Sequence, residues 1–513
     1  MTIALITSIV LGLAAAVLSG ARWLRVAQRE HYIAPWVTRL GWLWVRVRPV
    51  NAVLLALAVV LVALVVLVPA LQLGVPVVVA LIAVLPLGLG IRGTSAKLAW
   101  TDRLKRLAVV WAVLVLLVGA GLTLLLGPAG VALALLLLAP VTDLALVVMK
   151  PVEKRLSRKW MLSARKRLRQ VQPTVVAITG SYGKTSTKGY VSHVLSGSYS
   201  VVASPASFNN LMGLSRAVND RVVPGTEVFI AEMGVYGRGE IRELSESFPP
   251  DIAAITTIGE AHLARMGSRE VIFQAKAEIT EKASTVVLPI DDPMLAALAD
   301  QCRTQGKRVI TVSTVPGTAA DVVVDAAAGE VTVLENGRPA SAPVVIPNVG
   351  HAVNLAVTIG IARAMEVPLA DIAGRLGALP DSPHRAEVQQ AASGVVVIDD
   401  TYNSNPVGAE RALRGAAEIA AERGGQLVVV TPGMVELGTV QAARNREFAE
   451  SIASVGGVLF AVARTNRKAL VAGAGSGAVQ VYDRRTDAVA AALDQAGERG
   501  VILYENDLPD HYP

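Results

Sequence analysis

Apolar residues fall along this chain of 513 residues in two rhythms. Before residue 150 they come in long runs, roughly Ile3–Leu18, Ala52–Leu73, Val75–Ile91, Leu107–Leu126 and Ala129–Met149. A helix crosses a bilayer core with about 20 apolar residues, about 17 at the lower end, so these runs predict about five transmembrane helices. After residue 170 the runs shorten. Val175–Thr179, Val228–Glu232, Ala254–Thr257, Val286–Leu288 and Val309–Val312 read as strands between helical stretches. After Arg385 the same alternation returns with Val395–Asp399, Leu427–Thr431, Val458–Ala463, Val479–Tyr482 and Val501–Tyr504. The expected fold is a membrane α-helical region followed by α/β domains, the last Rossmann-like, with residues 321–347 as a β-hairpin excursion at a sheet edge.

Charge then orients the apolar part. Lys and Arg gather in residues 21–50, 92–106 and 150–170, whereas the connections near Gly74 and Gly127–Pro128 carry no charge. Basic loops stay cytoplasmic, so the N-terminus is expected outside and everything after residue 150 inside. That predicts a multi-pass protein of the cytoplasmic (inner) membrane with its α/β domains in the cytoplasm. Trp23, Trp36, Trp42, Trp44, Trp100 and Trp160 flank the runs as interfacial anchors would. Asp143, inside the fifth run, is either a functional carboxylate or an acid turned toward a neighbouring helix.

Composition narrows the function. Hydrophobic residues make up 53% of the chain and charged residues 17%, which excludes disorder. The net charge of +7 is a sum of unlike parts. Residues 1–170 are strongly basic, their only acids being Glu30, Asp102, Asp143 and Glu153, and the remainder is net acidic. A nucleic-acid partner is therefore not expected. Cys302, the only cysteine, excludes an internal disulfide or a cysteine-based zinc cluster.

The strand at Val175–Thr179 runs into Gly180-Ser181-Tyr182-Gly183-Lys184-Thr185-Ser186 and then a helical pattern. Strand, glycine-rich turn and helix N-terminus make a phosphate cradle, because backbone N–H groups and the helix dipole face the anion. Lys184 would reach the β/γ-phosphates and Thr185 would offer its hydroxyl to Mg²⁺. Ile178 stands where the usual loop pattern has its first glycine. Glu232 closes an apolar strand and is suited to hold the same Mg²⁺.

Ala177–Thr187 (AITGSYGKTST) resembles the ATP loop of the Mur ligase family, the ADP-forming amide ligases of cell-wall synthesis. Further family-like segments follow in order: Ser207–Gly213, Val228–Gly234, Ala261–Leu263, Gln274–Ile279, Gly350–Asn354, Pro383–Glu387, Asp399–Pro406 and Met434–Gly438. The last two resemble the D-alanyl-D-alanine-adding branch. The resemblance implies a P-loop central domain over 172–384 and a Rossmann-like C-terminal domain over 385–513, behind a transmembrane region over 1–150 and a basic linker over 151–171.

It also implies site roles. Lys184, Glu232, His262 and Lys276 would be catalytic. Gly180, Ser181, Gly183, Lys184, Thr185, Ser186, Asn354, Arg385, Asp399 and Asp400 would bind ATP. Thr185, Glu232, His262 and, if carbamylated, Lys276 would hold metal. Asn209, Asn210, Tyr402, Asn403 and Asn405 would line the substrate.

Two departures shape the functional expectation. No segment corresponds to the family's UDP-gripping N-terminal domain, and Tyr504–His511 replaces its usual Lys-Gly-Ser ending. The expected activity is a membrane-anchored ligase joining an amino acid or peptide to a cell-envelope glycan or lipid-linked acceptor through an acyl phosphate. The alternatives are a D-alanyl-D-alanine-adding precursor ligase and a poly-γ-glutamate-type synthetase. A membrane nucleotide sensor or an ATP-driven transporter is the reading from another class.

Overall fold

The computed structural model describes residues 2–91, 97–205, 208–327, 330–335, 338–340, 343–345, 352–380, 387–401, 404–475 and 478–513. The N-terminal part is all helical, with helices at Thr2–Arg29, Trp36–Val47, Pro49–Leu67, Val75–Ala83, Asp102–Leu126, Pro128–Leu136 and Leu138–Val171. Local chemistry starts and stops them. Pro49 and Pro128 occupy first-turn positions where the missing N–H costs nothing. The Thr101 hydroxyl accepts from Leu104 N at 3.3 Å and caps Asp102–Leu126. Gly130 lets two helices cross closely, since a Cβ there would sit 2.2 Å from the Leu122 carbonyl oxygen. Val26, Val37, Trp44, Val75, Leu104 and Leu138 are buried in the bundle, while Leu67, Leu124 and Leu125 point outward at 77%, 87% and 80% exposure.

This differs from five spanning helices. Among the described residues, three helices are long and apolar enough to cross a membrane, or four if the pair bent by 66° at Leu137 counts as one span. The third run shortens to the nine residues Val75–Ala83, because Pro86 cannot continue a helix and disfavours helical geometry just before it. The expected linker at 151–171 is the second half of a single helix of 34 residues, Leu138–Val171. Some of its basic side chains are engaged: Lys154 pairs with Glu243 at 2.8 Å, and Arg167 donates to the Val222 carbonyl at 2.9 Å. Asp143 accepts from Thr38 Oγ1 at 2.6 Å, Thr38 N at 2.8 Å and Val37 N at 3.3 Å. It caps the helix Trp36–Val47 from across the bundle, which is a structural use of its charge.

The middle part is a sheet flanked by helices. Its parallel strands are Thr174–Thr179 (β1), Val201–Ala203 (β2), Val228–Glu232 (β3), Ile252–Ile255 (β4), Thr285–Pro289 (β5) and Arg308–Ser313 (β6). Val322–Ala327 (β7) follows in parallel, and Glu330–Glu335 (β8), Arg338–Pro339 (β9) and Val344–Val345 (β10) add an antiparallel edge. The order is β10-β8-β7-β6-β5-β4-β1-β3-β2, with β9 on β8. Burial on both faces explains why the central strands β1, β3, β4 and β5 are almost wholly apolar.

A second sheet holds Glu387–Gln390 (β11), Val396–Asp400 (β12), Leu427–Thr431 (β13), Val458–Val462 (β14), Val479–Tyr482 (β15) and Val501–Glu505 (β16), ordered β11-β12-β16-β13-β14-β15. All pairs are parallel except β11 with β12. The mostly polar sequence of β11 (EVQQ) hid it from the hydrophobic pattern.

Candidate nucleotide and ligation site

Register builds the centre of the site. Ile178 at the end of β1 pairs with Glu232 at the end of β3, so the loop after β1 meets that carboxylate. Gly180 and Gly183 take positive φ values of +154° and +80° there. A Cβ on Gly180 would lie 1.9 Å from Thr256 Oγ1, and one on Gly183 would lie 2.1 Å from Asn354 Oδ1. Glycine at both positions is therefore a steric requirement. Helix Lys184–Leu195 begins directly after, aiming its N-terminal amides at the loop.

The expected loop residues converge. Thr185 Oγ1 donates to the Glu232 carboxylate at 3.1 and 3.2 Å. Lys184 Nζ lies on the loop and donates to the Gly180 carbonyl at 2.6 Å, and Lys276 Nζ reaches the same oxygen at 3.0 Å. Ser181 Oγ accepts from Gly259 N at 2.9 Å, and Ser186 is buried in the first turn of the helix. Asn354 packs on Gly183 and so belongs to the loop's support.

Two ammonium groups on one carbonyl repel each other. Lys276 is 2% exposed, and burial first, then the Lys184 charge, pushes its pKa well below the usual lysine range. Burial would raise the Glu232 carboxyl. Lys188, donating to it at 2.8 Å, outweighs that together with Lys184 and Thr185, and the net shift is downward. Lys188 was missed in the sequence, although it lies one helical turn after Lys184 and so on the same face.

His262 takes a positive φ of 61° and presents Nδ1 to Glu436 Oε2 at 2.6 Å. Burial lowers its pKa, and the nearby Lys184 and Lys276 charges push the same way against Glu436. The lowered pKa favours the neutral imidazole, and because a carboxylate only accepts, Nδ1 carries its proton toward Glu436. Burial would raise Glu436, but the His262 hydrogen bond and Arg265 hold it down at about 2. Neither Glu436 nor Arg265 was assigned a role from the sequence.

Other expected residues serve locally. Asn210 and Asn405 are helix N-caps, accepting from Gly213 N and Gly408 N at 2.9 Å each. Asn209 lies near the Glu232 carboxylate, its Nδ2 3.5 Å from Oε1. Asp399 accepts from Thr401 N at 3.1 Å and Thr401 Oγ1 at 2.6 Å, which closes a turn after β12. Asp400 is buried beside Glu505, whose pKa is pushed well above the usual carboxylate range by burial and then by Asp400. Arg385, Tyr402 and Asn403 lie outside the described residues, as do Ser207, Gly350, His351 and Pro383–Ala386.

Comparison with known proteins agrees with this geometry. The model for the Mur ligase middle domain matches residues 178–362, and that for the Mur ligase, glutamate ligase domain matches residues 384–504. UDP-N-acetylmuramoyl-tripeptide–D-alanyl-D-alanine ligase of Mycobacterium tuberculosis is 38% identical over 261 residues, 48% of this chain and 49% of that one. The Bacillus subtilis protein of the same name is 32% identical over 289 residues, 55% of this chain and 60% of that one. The chain thus spans about half the length of these relatives. MurF from Acinetobacter baumannii shares the fold with a TM-score of 0.58 at 23% identity, covering 68% of this chain and 77% of the other. MurF ligase from Thermotoga maritima in complex with ADP gives 0.57 at 23% identity, covering 68% and 80%.

The relatives also overturn the expected location. They are ligases whose name specifies a UDP-linked precursor. Length and apolarity of three or four helices do not make a multi-pass protein of the inner membrane. The inner-membrane location, with membrane anchoring and a lipid-linked acceptor, is accordingly withdrawn. Both ligase domains are matched in order, on the fold that solved members share, and the chain belongs to the Mur ligase family.

Proposed function

We propose that the protein is an ATP-dependent, ADP-forming amide ligase that adds D-alanyl-D-alanine to the peptide of a UDP-linked cell-wall precursor. The supporting observation is the cluster at the ends of β1 and β3, where Lys184, the Thr185 hydroxyl, the Glu232 carboxylate and Lys276 meet one glycine-rich loop.

A carboxylate resists amines until it is activated. ATP supplies the phosphoryl group that turns it into an acyl phosphate, which the amine of the dipeptide displaces. Positioning and charge neutralisation then carry most of the catalysis. In this reading the loop amides and Lys184 hold the phosphates, with Lys184 leaving the Gly180 carbonyl for the anion. Lys188 keeps Glu232 ionised.

The residues fit Mg²⁺. That ion usually takes one or two carboxylates and fills its octahedron with phosphate oxygens and water, and here Glu232 and the Thr185 hydroxyl stand together. Among the described residues no three His, Cys, Asp or Glu side chains converge, so the phosphates would be part of the set. When bound, the ion neutralises phosphate charge. His262 offers Nε2, with Glu436 fixing its ring as an outer carboxylate does for a metal-bound histidine. The depressed pKa of Lys276 favours the unprotonated amine that carbamylation requires.

The test is ADP release by the full chain with ATP, UDP-linked tripeptide precursor and D-alanyl-D-alanine. Release should require both the precursor and the dipeptide, and Lys184→Ala should lower it by at least about 10²–10³-fold. Release that continues without either substrate, or that survives the substitution, rejects the assignment.

A further inference from the structure

The helical N-terminal part reaches the ligation site through a chain of charges that is buried at Glu30 and Arg265 and partly exposed at Glu436 and His262. Glu30 follows helix Thr2–Arg29, its N–H bonded to the Val26 carbonyl at 2.8 Å. Its Oε2 accepts from Arg265 at 2.8 Å, with both side chains 4% exposed. Arg265 turns its Nε and the same Nη2 to Glu436 Oε1, at 3.1 and 2.7 Å, and Glu436 Oε2 holds His262. The other oxygen of Glu30 meets His511 Nε2 at 3.1 Å and the Tyr512 hydroxyl at 3.4 Å. One carboxylate from the helical part therefore touches both the middle part, at Arg265, and the chain's C-terminal end.

A second line of contacts runs beside the first. The His31 ring stacks on Tyr236 at 5.1 Å, and Tyr236 meets the His262 ring edge-on at 4.9 Å. Trp36 lies under the Arg265 guanidinium at 4.3 Å. The seam is closed further by Arg25 with Asp510 at 2.8 Å and by Trp44 Nε1 donating to the His511 carbonyl at 2.9 Å. Across the two ligase domains, Ala264 N donates to the Glu436 carbonyl at 2.9 Å.

Resting on the ligase reading above, we infer that Glu30 is a positioning residue: by holding Arg265 it clamps the His262 segment against Glu436, so the N-terminal helical part sets the closed arrangement of the two ligase domains. The geometry requires it to act as a unit. Arg265 is buried between two carboxylates, and losing one leaves a desolvated cation with half its partners. Arg265 then no longer fixes Glu436, and the His262 ring and the Ala264 backbone bond lose their shared anchor.

Hydrogen exchange of the full chain reads the clamp without any activity. Glu30→Gln should speed exchange at least about tenfold in peptides spanning 263–267 and 434–438, leaving the β1, β4 and β5 amides unchanged. In the ligase assay it should lower kcat more than it raises KM for ATP. Exchange that is unaltered at those peptides, or faster to the same degree throughout, overturns the inference. Should Glu30→Gln not fold, Glu30→Asp keeps the charge and withdraws it by one methylene, and the same local pattern is required of it. An inactive wild-type chain that still shows the local response rejects the ligase reading and leaves the clamp standing; an active Glu30→Gln chain with no local response does the reverse.

Discussion

The phosphate loop and the three-part seam solve the same electrostatic problem with different use of the chain. At the loop, Glu232 and Lys188 lie buried at 4% and 7% exposure, on β3 and on the helix that follows its neighbour β1. At the seam, Glu30, Arg265 and Glu436 come from three separate parts of the chain. Within the loop, spare partners surround the carboxylate, since Thr185 also donates to it. Glu30 and Glu436 also have further partners, His511 and Tyr512 on the first and His262 on the second, but it is Arg265 that joins the two carboxylates, lying against the aromatic faces of Trp36 and Tyr236. The loop is locally redundant, and the seam depends on single residues that join distant segments.

Substitution of the two cations should separate these cases. Arg265→Met strips the shared cation from the buried Glu30 and the partly exposed Glu436, and we expect a loss of about 3–5 kcal/mol, the range for removing one partner of a buried pair. Lys188→Met leaves Glu232 with the Thr185 hydroxyl and Lys184 nearby, so its cost should fall near the bottom of that range, about 3 kcal/mol. Denaturant midpoints of the two variants, compared at equal slope, check the order. If Lys188→Met is the more damaging, the loop is not the redundant one of the pair.

The same contrast explains what the sequence conveys. The loop is contiguous, and its glycines, Lys184, Thr185 and the strand-ending Glu232 each carry a local signal of turn, helix start or strand end. Both α/β domains are legible for the same reason, because parallel strands buried on two faces stand out as short apolar runs. Hydrophobic pattern alone misled where proline and bending decide the outcome. It gave a long third span where the helix stops at Ala83, and a linker where helix Leu138–Val171 continues. The charged partners were also silent. Glu30 looks like one acid in a basic loop, and Asp143 like an intramembrane carboxylate. Their functions appear only when Arg265 and the amides of Val37 and Thr38 are brought to them from far along the chain or across the bundle.

The exposed rim of the seam provides the mildest test. Asp483 accepts from Arg464 and Arg467 at 2.8 and 2.6 Å, and those hydrogen bonds, Arg464 first, hold its carboxyl at about 2. Arg464 N also donates to the Pro513 carbonyl at 3.2 Å, tying this rim to the chain end that Glu30 touches. A carboxylate with its pKa lowered from 3.8 in this way adds stability above pH 3.8, and loses it as pH falls to about 2. Exposure shrinks the energy. Arg464 and Asp483 are 36% and 54% exposed, and Arg467 keeps its bonds to the Ala463 and Tyr482 carbonyls at 2.8 and 3.0 Å without the acid. Asp483→Asn should therefore cost only about 0.5–1 kcal/mol at pH 7 and less in high salt, where the ion pairs are screened. Between pH 4 and 2 the wild-type and variant stabilities should converge. A loss as large as that of Arg265→Met would mean that the rim, and not the buried clasp, holds the C-terminal end in place.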